Sequence, residues 1–264
     1  MSDNAPQIGM PLLTFQTAGA GAGSVKIAFR RRAGASPGVI WLGGFKSDML
    51  STKASRLDAW AAQAGRACLR FDYSGHGECG GDFEAGTIGQ WLAESLEMLR
   101  SQSAGPQILV GSSMGGWIAL LLARELQRLG EAERLAGLVL IAPAVDFTEK
   151  LIWERMSPDI QREVMEQGRW LRQSEYAPEP YPITRALIEE GRNHLLLDGL
   201  IRTSAPVHIL QGLEDPDVPW RHAMELVHRL AWDPVSVTTI RDGDHRLSRE
   251  EDIERLLRAV ERIA

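Results

Sequence analysis

Cysteine is scarce in this sequence, with two residues among 264. Cys68 lies in a predicted strand and Cys79 in a Gly-rich loop, and neither has histidine or carboxylate neighbours at the spacing of metal ligands. The sequence therefore predicts neither a disulfide framework nor a metal site.

Basic residues are not in excess, because 29 lysines and arginines stand against 35 acids. We expect no nucleic-acid partner.

Long apolar runs and leader features are also absent. The longest apolar stretch, residues 135–145, is far shorter than the roughly 20 residues of a membrane-spanning helix. Residues 1–6 lack the charged and apolar regions of a signal peptide, so we expect a soluble protein in the cytoplasm. Phosphate-loop and dinucleotide fingerprints are missing as well, and no cofactor is expected.

Strands and helices alternate along most of the chain. Two alternating runs, 11–16 and 24–30, flank a Gly/Ala-rich turn at 18–23 and predict an opening hairpin. Buried strands are then predicted at 39–42, 67–71, 108–110, 138–141, 207–210 and 235–240. Helices are predicted around 51–64, 88–99, 117–122 and 224–230, with a last one after 248. This alternation predicts a mostly parallel central sheet with helices on both faces.

Two capping boxes mark predicted helix starts. In each, a serine or threonine is followed three residues later by a glutamate or glutamine, the spacing at which both side chains cap backbone N–H groups. The first pair is Thr87 with Gln90, and the second is Ser248 with Glu251.

The alternation stops at residues 146–200. This segment contains helix-like stretches at 159–167 and 184–192 and no pattern that predicts a strand. We expect a small helical cap inserted into a core formed by residues 1–145 and 201–264. Its apolar side chains either line a hydrophobic acyl pocket or pack within the cap; they are Trp153, Met156, Trp170, Leu171 and Tyr176.

Residues 111–116 carry the strongest functional signal. Gly111-Ser112-Ser113-Met114-Gly115 joins a predicted strand to a predicted helix, and this is the arrangement of a nucleophile elbow. The glycines at 111 and 115 allow helix and strand to approach closely. A serine hydroxyl is a weak nucleophile, so Ser113 requires an acid and a histidine later in the chain, in that order.

Both partners are found after predicted strands. Three acids follow the strand at 207–210, and Asp215 is preferred over Glu214 and Asp217, which are interpreted as solvated loop charges. His245 follows the strand at 235–240 and is the candidate base. His76 also ends a strand, but it precedes Ser113 and falls outside the expected order. Four histidines are expected to be structural or exposed: His194, His208, His222 and His228.

The developing negative charge on a substrate carbonyl requires fixed N–H donors. The backbone N–H of Met114, directly after the nucleophile, is one candidate. The other is the N–H of Phe45 in the loop after the strand at 39–42, with Gly44 as the nearest alternative. The expected activity is hydrolysis of a small-molecule carboxylic ester or acyl thioester, with an acylated protein as a further candidate substrate. The alternative is a ligand receptor with slow turnover on the same fold.

Several segments resemble the α/β-hydrolase superfamily and, within it, the branch of mitochondrial palmitoyl-protein thioesterases and acyl-glucuronide esterases. They are Gly-Gly-Phe-Lys-Ser-Asp-Met at 43–49, Thr-Lys-Ala at 52–54, Phe-Asp-Tyr-Ser-Gly at 71–75, Gly-Pro-Gln-Ile-Leu-Val at 105–110 and Asp-His-Arg at 244–246. The resemblance extends from about residue 39 to the C-terminus. It implies an α/β-hydrolase fold with a cap, the triad Ser113, Asp215 and His245, and ester or thioester hydrolysis.

Overall fold

The computed structural model describes residues 9–18, 25–173, 178–230 and 232–264. Its ten strands are β1 (Leu13–Ala18), β2 (Val25–Arg32), β3 (Ala35–Leu42), β4 (Arg66–Phe71), β5 (Gln107–Ser112), β6 (Leu135–Ile141), β7 (Arg169–Arg172), β8 (Tyr181–Thr184), β9 (Val207–Gly212) and β10 (Val235–Ile240). Its seven α-helices are α1 (Thr52–Gln63), α2 (Ile88–Gln102), α3 (Met114–Arg128), α4 (Pro158–Gln167), α5 (Arg185–Gly191), α6 (Trp220–Arg229) and α7 (Glu250–Glu261).

Eight strands form one twisted sheet in the order β1-β2-β4-β3-β5-β6-β9-β10. The opening hairpin β1–β2 is antiparallel and joins β4 antiparallel, whereas the remaining neighbours are parallel. The mostly parallel sheet predicted from the sequence is thus confirmed. The turn predicted at 18–23 lies, apart from Ala18, outside the described residues.

Helices cover both faces of the sheet, and alternate side chains of β3 show why. Val39 and Trp41 pack with α1 and α7, whereas Ile40 and Leu42 pack with α2 and α3 on the opposite face. Strand residues are therefore buried on both sides, as expected for the apolar runs of a parallel sheet. The two cysteines are free.

The two predicted capping boxes differ in the structure. Thr87 caps α2, because its hydroxyl accepts from the Gln90 N–H at 3.3 Å, but the Gln90 amide donates to Ser74 Oγ instead of returning to the cap. The box predicted at Ser248 is wrong. α7 starts one residue later with Arg249 as its cap residue and no side-chain cap, while Ser248 Oγ donates to the Arg246 carbonyl.

The segment between β6 and β9 contains the predicted helices α4 and α5, together with a π-helical turn, Thr148–Ile152. The expectation of no strands there is wrong, because β7 and β8 form a two-stranded antiparallel sheet. These strands have four residues each and β8 contains Pro182, so neither carries a clear alternating pattern. Pro182 is tolerated because both strands are edges. The cap limits of 146 and 200 stay a prediction.

Asp146 ties the start of this segment to its end. Its carboxylate is fully buried and accepts from the N–H groups of Leu196, at 2.9 and 3.0 Å, and Leu197, at 2.8 Å. Burial raises the pKa of this carboxyl to about 6, against the hydrogen bonds that favour its ionised form.

The difference between the two capping sites is testable by paired substitutions. Thr87→Ala removes a real cap and is expected to lower the free energy of unfolding by about 1 kcal/mol. Ser248→Ala removes no cap and is expected to change it by less than about 0.5 kcal/mol. Urea unfolding followed by circular dichroism measures both. Equal losses would contradict the assignment of only Thr87 as a cap.

Candidate active site

Ser113 lies at the turn between β5 and α3 with φ 55° and ψ −118°. This left-handed conformation is strained for a serine and is held by backbone hydrogen bonds. The Ser113 N–H donates to the Ile141 carbonyl at 2.8 Å, and the Ser113 carbonyl accepts from the N–H groups of Gly116 at 2.9 Å and Ala144 at 3.1 Å. The hydroxyl is consequently presented beyond the carboxyl edge of the sheet.

Two glycines allow this turn. A Cβ on Gly111 would lie 2.3 Å from the Gly115 carbonyl oxygen, and a Cβ on Gly115 would lie 2.0 Å from the Leu42 carbonyl oxygen. Both distances are impossible for a real side chain, because the first turn of α3 packs directly on the backbone of β3 and β5. The close approach predicted from the sequence is therefore present.

The structure brings Ser113, His245 and Asp215 together. His245 Nε2 lies 3.1 Å from Ser113 Oγ, and His245 Nδ1 lies 2.8 Å from Asp215 Oδ2. The Asp215 side chain is fully buried, and its other oxygen accepts from the N–H groups of Asp217 and Val218 at 2.9 and 2.8 Å. These donors fix the carboxylate, and the carboxylate in turn orients the imidazole.

The competing acids lie elsewhere in the same loop. Asp217 pairs with Arg172 at 3.3 Å, and Glu214 is exposed. The ligand atoms of Asp215, Asp217 and His245 lie within 4.8 Å of one another, so these three are where a metal ion could be held. The same atoms of Asp215 and His245 are engaged in the hydrogen bonds described above, and the expectation of no metal stays a prediction.

The loop after β3 lies beside the nucleophile. A Cβ on Gly44 would lie 3.4 Å from Ser113 Cβ, so the backbone of Gly44 and Phe45 borders the serine. Within the described part of the chain, the Phe45 N–H has no hydrogen-bond acceptor. Met114 is the first residue of α3, where the N–H groups of a helix are unsatisfied and attract negative charge.

The Phe45 side chain is the centre of an aromatic cluster. Its ring lies 4.9 to 5.9 Å from the rings of Phe83, Trp91, Phe147 and Tyr181. His76 belongs to the same cluster and is 3% exposed. Burial lowers the pKa of His76 to about 4, so the ring is neutral within the cluster.

A cavity of about 520 Å³ opens over Ser113 and His245. Its apolar wall is formed by Phe45, Phe147, Leu151, Ile152, Tyr181 and Val218. Four of the five side chains for which the sequence left open either pocket lining or packing do not line it. Trp153, Met156 and Trp170 pack, partly buried, against the core, and Leu171 is exposed. The fifth, Tyr176, lies outside the described residues.

The sequence could not decide between pocket lining and packing, because composition does not give the direction in which a side chain points. The π-helical turn places Leu151 and Ile152 at the cavity, whereas the next residue, Trp153, stacks under the Arg192 guanidinium at 5.0 Å. A second cavity, of about 710 Å³, also borders Ser113, and its wall includes Lys53, Asp244 and Arg249.

Among the residues that the structure describes, no helix is both long and apolar enough to cross a membrane.

Comparison with known proteins adds to this geometry. The model of the alpha/beta hydrolase family matches residues 34–259. Palmitoyl-protein thioesterase ABHD10, mitochondrial, of Homo sapiens is 34% identical over 236 residues, which are 89% of this chain and 75% of that protein. A solved structure from Agrobacterium vitis S4 is 48% identical, with a TM-score of 0.92 over 96% of this chain and 98% of that chain. Alpha/beta hydrolase domain-containing protein 10 from mouse is 31% identical, with a TM-score of 0.85 over the same shares. The resemblance and the fold class inferred from sequence are confirmed.

The prediction of a cytoplasmic location is wrong. The matching ABHD10 proteins of Homo sapiens and Pongo abelii are named mitochondrial, which contradicts it. The prediction used the lack of leader features in residues 1–6. The lack of a targeting signal in a stretch of sequence does not specify a compartment.

Gly115→Ala tests whether the close approach of α3 controls the position of the serine. The added Cβ must push the helix away from the Leu42 carbonyl, so we expect unfolding to become easier by about 2 kcal/mol or more. Gly199→Ala is the control, because a Cβ there meets nothing within 4 Å. Thermal unfolding of both variants measures the effect, and equal midpoints would contradict the contact.

Proposed function

Because this chain belongs to the alpha/beta hydrolase family, we propose that it is a serine hydrolase that cleaves carboxylic esters or thioesters through an acyl-enzyme on Ser113. One observation carries the proposal: a continuous hydrogen-bonded path from Ser113 Oγ through His245 to the buried carboxylate of Asp215. This path supplies a base to the serine and an orienting acid to the base, and both are needed because the hydroxyl alone is a weak nucleophile.

In the proposed reaction, His245 Nε2 accepts the Ser113 proton as Oγ attacks the substrate carbonyl. The protonated imidazole is stabilised by Asp215 and then gives the proton to the leaving alcohol or thiol. The N–H groups of Phe45 and Met114 bind the oxyanion, and each such donor contributes about 10²–10³ to the rate. A water molecule then repeats the sequence against the acyl-enzyme and releases the acid.

The cavity supports the proposed substrate class. Its apolar wall suits the acyl group, and we propose that residues 146–200 act as the cap that supplies Phe147, Leu151, Ile152 and Tyr181 to it. The name of ABHD10, a palmitoyl-protein thioesterase, favours acyl thioesters, including those of acylated proteins, alongside simple esters.

Ser113→Ala and Asp215→Asn test the proposed triad. The first is expected to abolish turnover of p-nitrophenyl esters and acyl thioesters. The second leaves the imidazole without its orienting charge and is expected to lower kcat by about 10⁴-fold. Initial rates measure both, and the intact mass of the wild type during turnover shows the acyl adduct on Ser113. Glu214→Gln is the matched control and should retain activity.

Other outcomes would contradict the proposed function. Turnover that persists in Ser113→Ala would reject the serine mechanism. One equivalent of product without further turnover would favour the slow-turnover receptor, because the acyl-enzyme would then form and not be hydrolysed.

Leu151→Trp tests whether the cavity over Ser113 and His245, here called the acyl cavity, binds the acyl group. The larger ring is expected to fill space along the apolar wall, so kcat/KM should fall at least about tenfold for long acyl esters while acetyl esters are nearly unaffected. Leu171→Trp, at a side chain that is 47% exposed, is the control. A rate panel from acetyl to palmitoyl measures both variants, and an equal loss at every chain length would contradict the assignment of this wall to the acyl group.

A further inference from the structure

Lys53 is a buried cation whose surroundings disfavour a positive charge. Its side chain is 9% exposed, and the described ion pairs include none with its ammonium. It belongs to the first turn of α1, where the helix dipole disfavours positive charge. A buried charge without a paired carboxylate costs stability, so the contacts of this ammonium require an explanation.

Those contacts lead to the loop of the proposed base. Lys53 Nζ donates a hydrogen bond to the carbonyl of Arg246, the residue after His245, and a long one to Ser248 Oγ at 3.5 Å. Ser248 Oγ donates to the same Arg246 carbonyl at 2.9 Å. The Arg246 peptide is therefore fixed to α1 from directly beside the imidazole.

The other side of His245 is held by a different element. The Gly243 carbonyl accepts from the Glu214 N–H at 3.0 Å, and a Cβ on Gly212 would lie 2.3 Å from that carbonyl oxygen. The loop before the histidine is thus packed on the loop of the acid.

The contact from Lys53 is a hydrogen bond from α1, the helix that follows the proposed oxyanion loop at 43–48, to the residue directly after the histidine. Further along the chain, Leu247 packs in the same core cluster as α1, and Arg56 of α1 pairs with Glu250.

We propose that Lys53 is a positioning residue that holds the His245 loop in register with Ser113 and the oxyanion loop. This inference rests on the proposed function for its kinetic consequence, although the anchoring itself does not depend on it.

The charge of Lys53 is not what stabilises the fold. Burial, together with repulsion by Arg246, lowers the pKa of Lys53 to about 8, while Asp244 and Asp252 act in the opposite direction. The unfolded chain then binds more protons than the folded one between about pH 8 and 10.5. The contribution of this residue to the free energy of unfolding therefore rises with pH in that window and is unfavourable at pH 7.

Lys53→Met separates positioning from stability, because it keeps the length of the side chain and removes the ammonium. We expect kcat for an acetyl ester to fall by about 10- to 100-fold, since small displacements of a catalytic group have effects of that size. KM should change by less than about twofold, because the acyl cavity is not altered. The thermal midpoint should be unchanged or higher.

Two further readouts complete the experiment. The rate at which a fluorophosphonate labels Ser113 should fall together with kcat, and hydrogen exchange should increase in the segment 241–249 and not elsewhere. Lys26→Met, at an exposed lysine of β2, is the matched control for loss of a positive charge. Lys53→Arg keeps a cationic donor and should recover part of the rate; it also replaces Lys53→Met if that variant fails to fold.

A kcat within about twofold of the wild type would overturn the proposal, and so would a loss of rate that only follows a lowered thermal midpoint. Unchanged exchange in 241–249 would overturn it whatever the kinetics show. If the wild type has no turnover that depends on Ser113, the proposed function fails, and the exchange result alone decides whether Lys53 anchors the loop.

Discussion

The contact between the backbone of Gly115 and the carbonyl of Leu42 is the constraint on which the site depends. It brings the first turn of α3 against the ends of β3 and β5, with a separation that leaves no room for a Cβ. The chain can enter α3 from β5 under that condition only through a sharp turn, and Ser113 absorbs it with a positive φ. The strained serine, the unsatisfied N-terminus of α3 and the loop after β3 beside it all follow from this one approach.

The order of the strands separates the elements that carry Ser113, Asp215 and His245. β6 lies between β5, which leads to Ser113, and β9, which leads to Asp215, and β10 with His245 is one strand further out. The loops after β9 and β10 must therefore reach back across the end of β6 to meet the serine. Loops are more mobile than the elements they connect, so a site with precise geometry requires contacts that hold these loops in place. The hydrogen bonds to Asp215, the packing of Gly243 on Gly212 and the contact of Lys53 with Arg246 are such contacts.

The sequence predicted the sheet and the residues that meet at its edge because those signals are local. An apolar run, a turn of glycine and serine and a helical run stand next to one another around Ser113. Other features are not local and were missed or misassigned. The aromatic residues of the cap could not be assigned to a face, the Ser248 box competed with a bond to Arg246, and β7 and β8 are too short to show a period. Lys53 belongs to the Thr-Lys-Ala segment of the resemblance, but no local pattern indicates its contacts, because they lie 193 and 195 residues away.

The long sequence separations between contacting residues affect the order in which the site can form during synthesis. Ser113 Oγ meets His245 across 132 positions of sequence, and β10, at the outer edge of the sheet, pairs with β9 alone among the described strands. A nascent chain that has been released up to Ala144 contains the partners that hold the elbow, yet its serine has no imidazole beside it. Such long-range contacts form late in folding because loop closure must precede them. Under the proposed mechanism, reactivity therefore arises only when the segment that carries His245 is in place, and a chain that ends before it carries an inert serine.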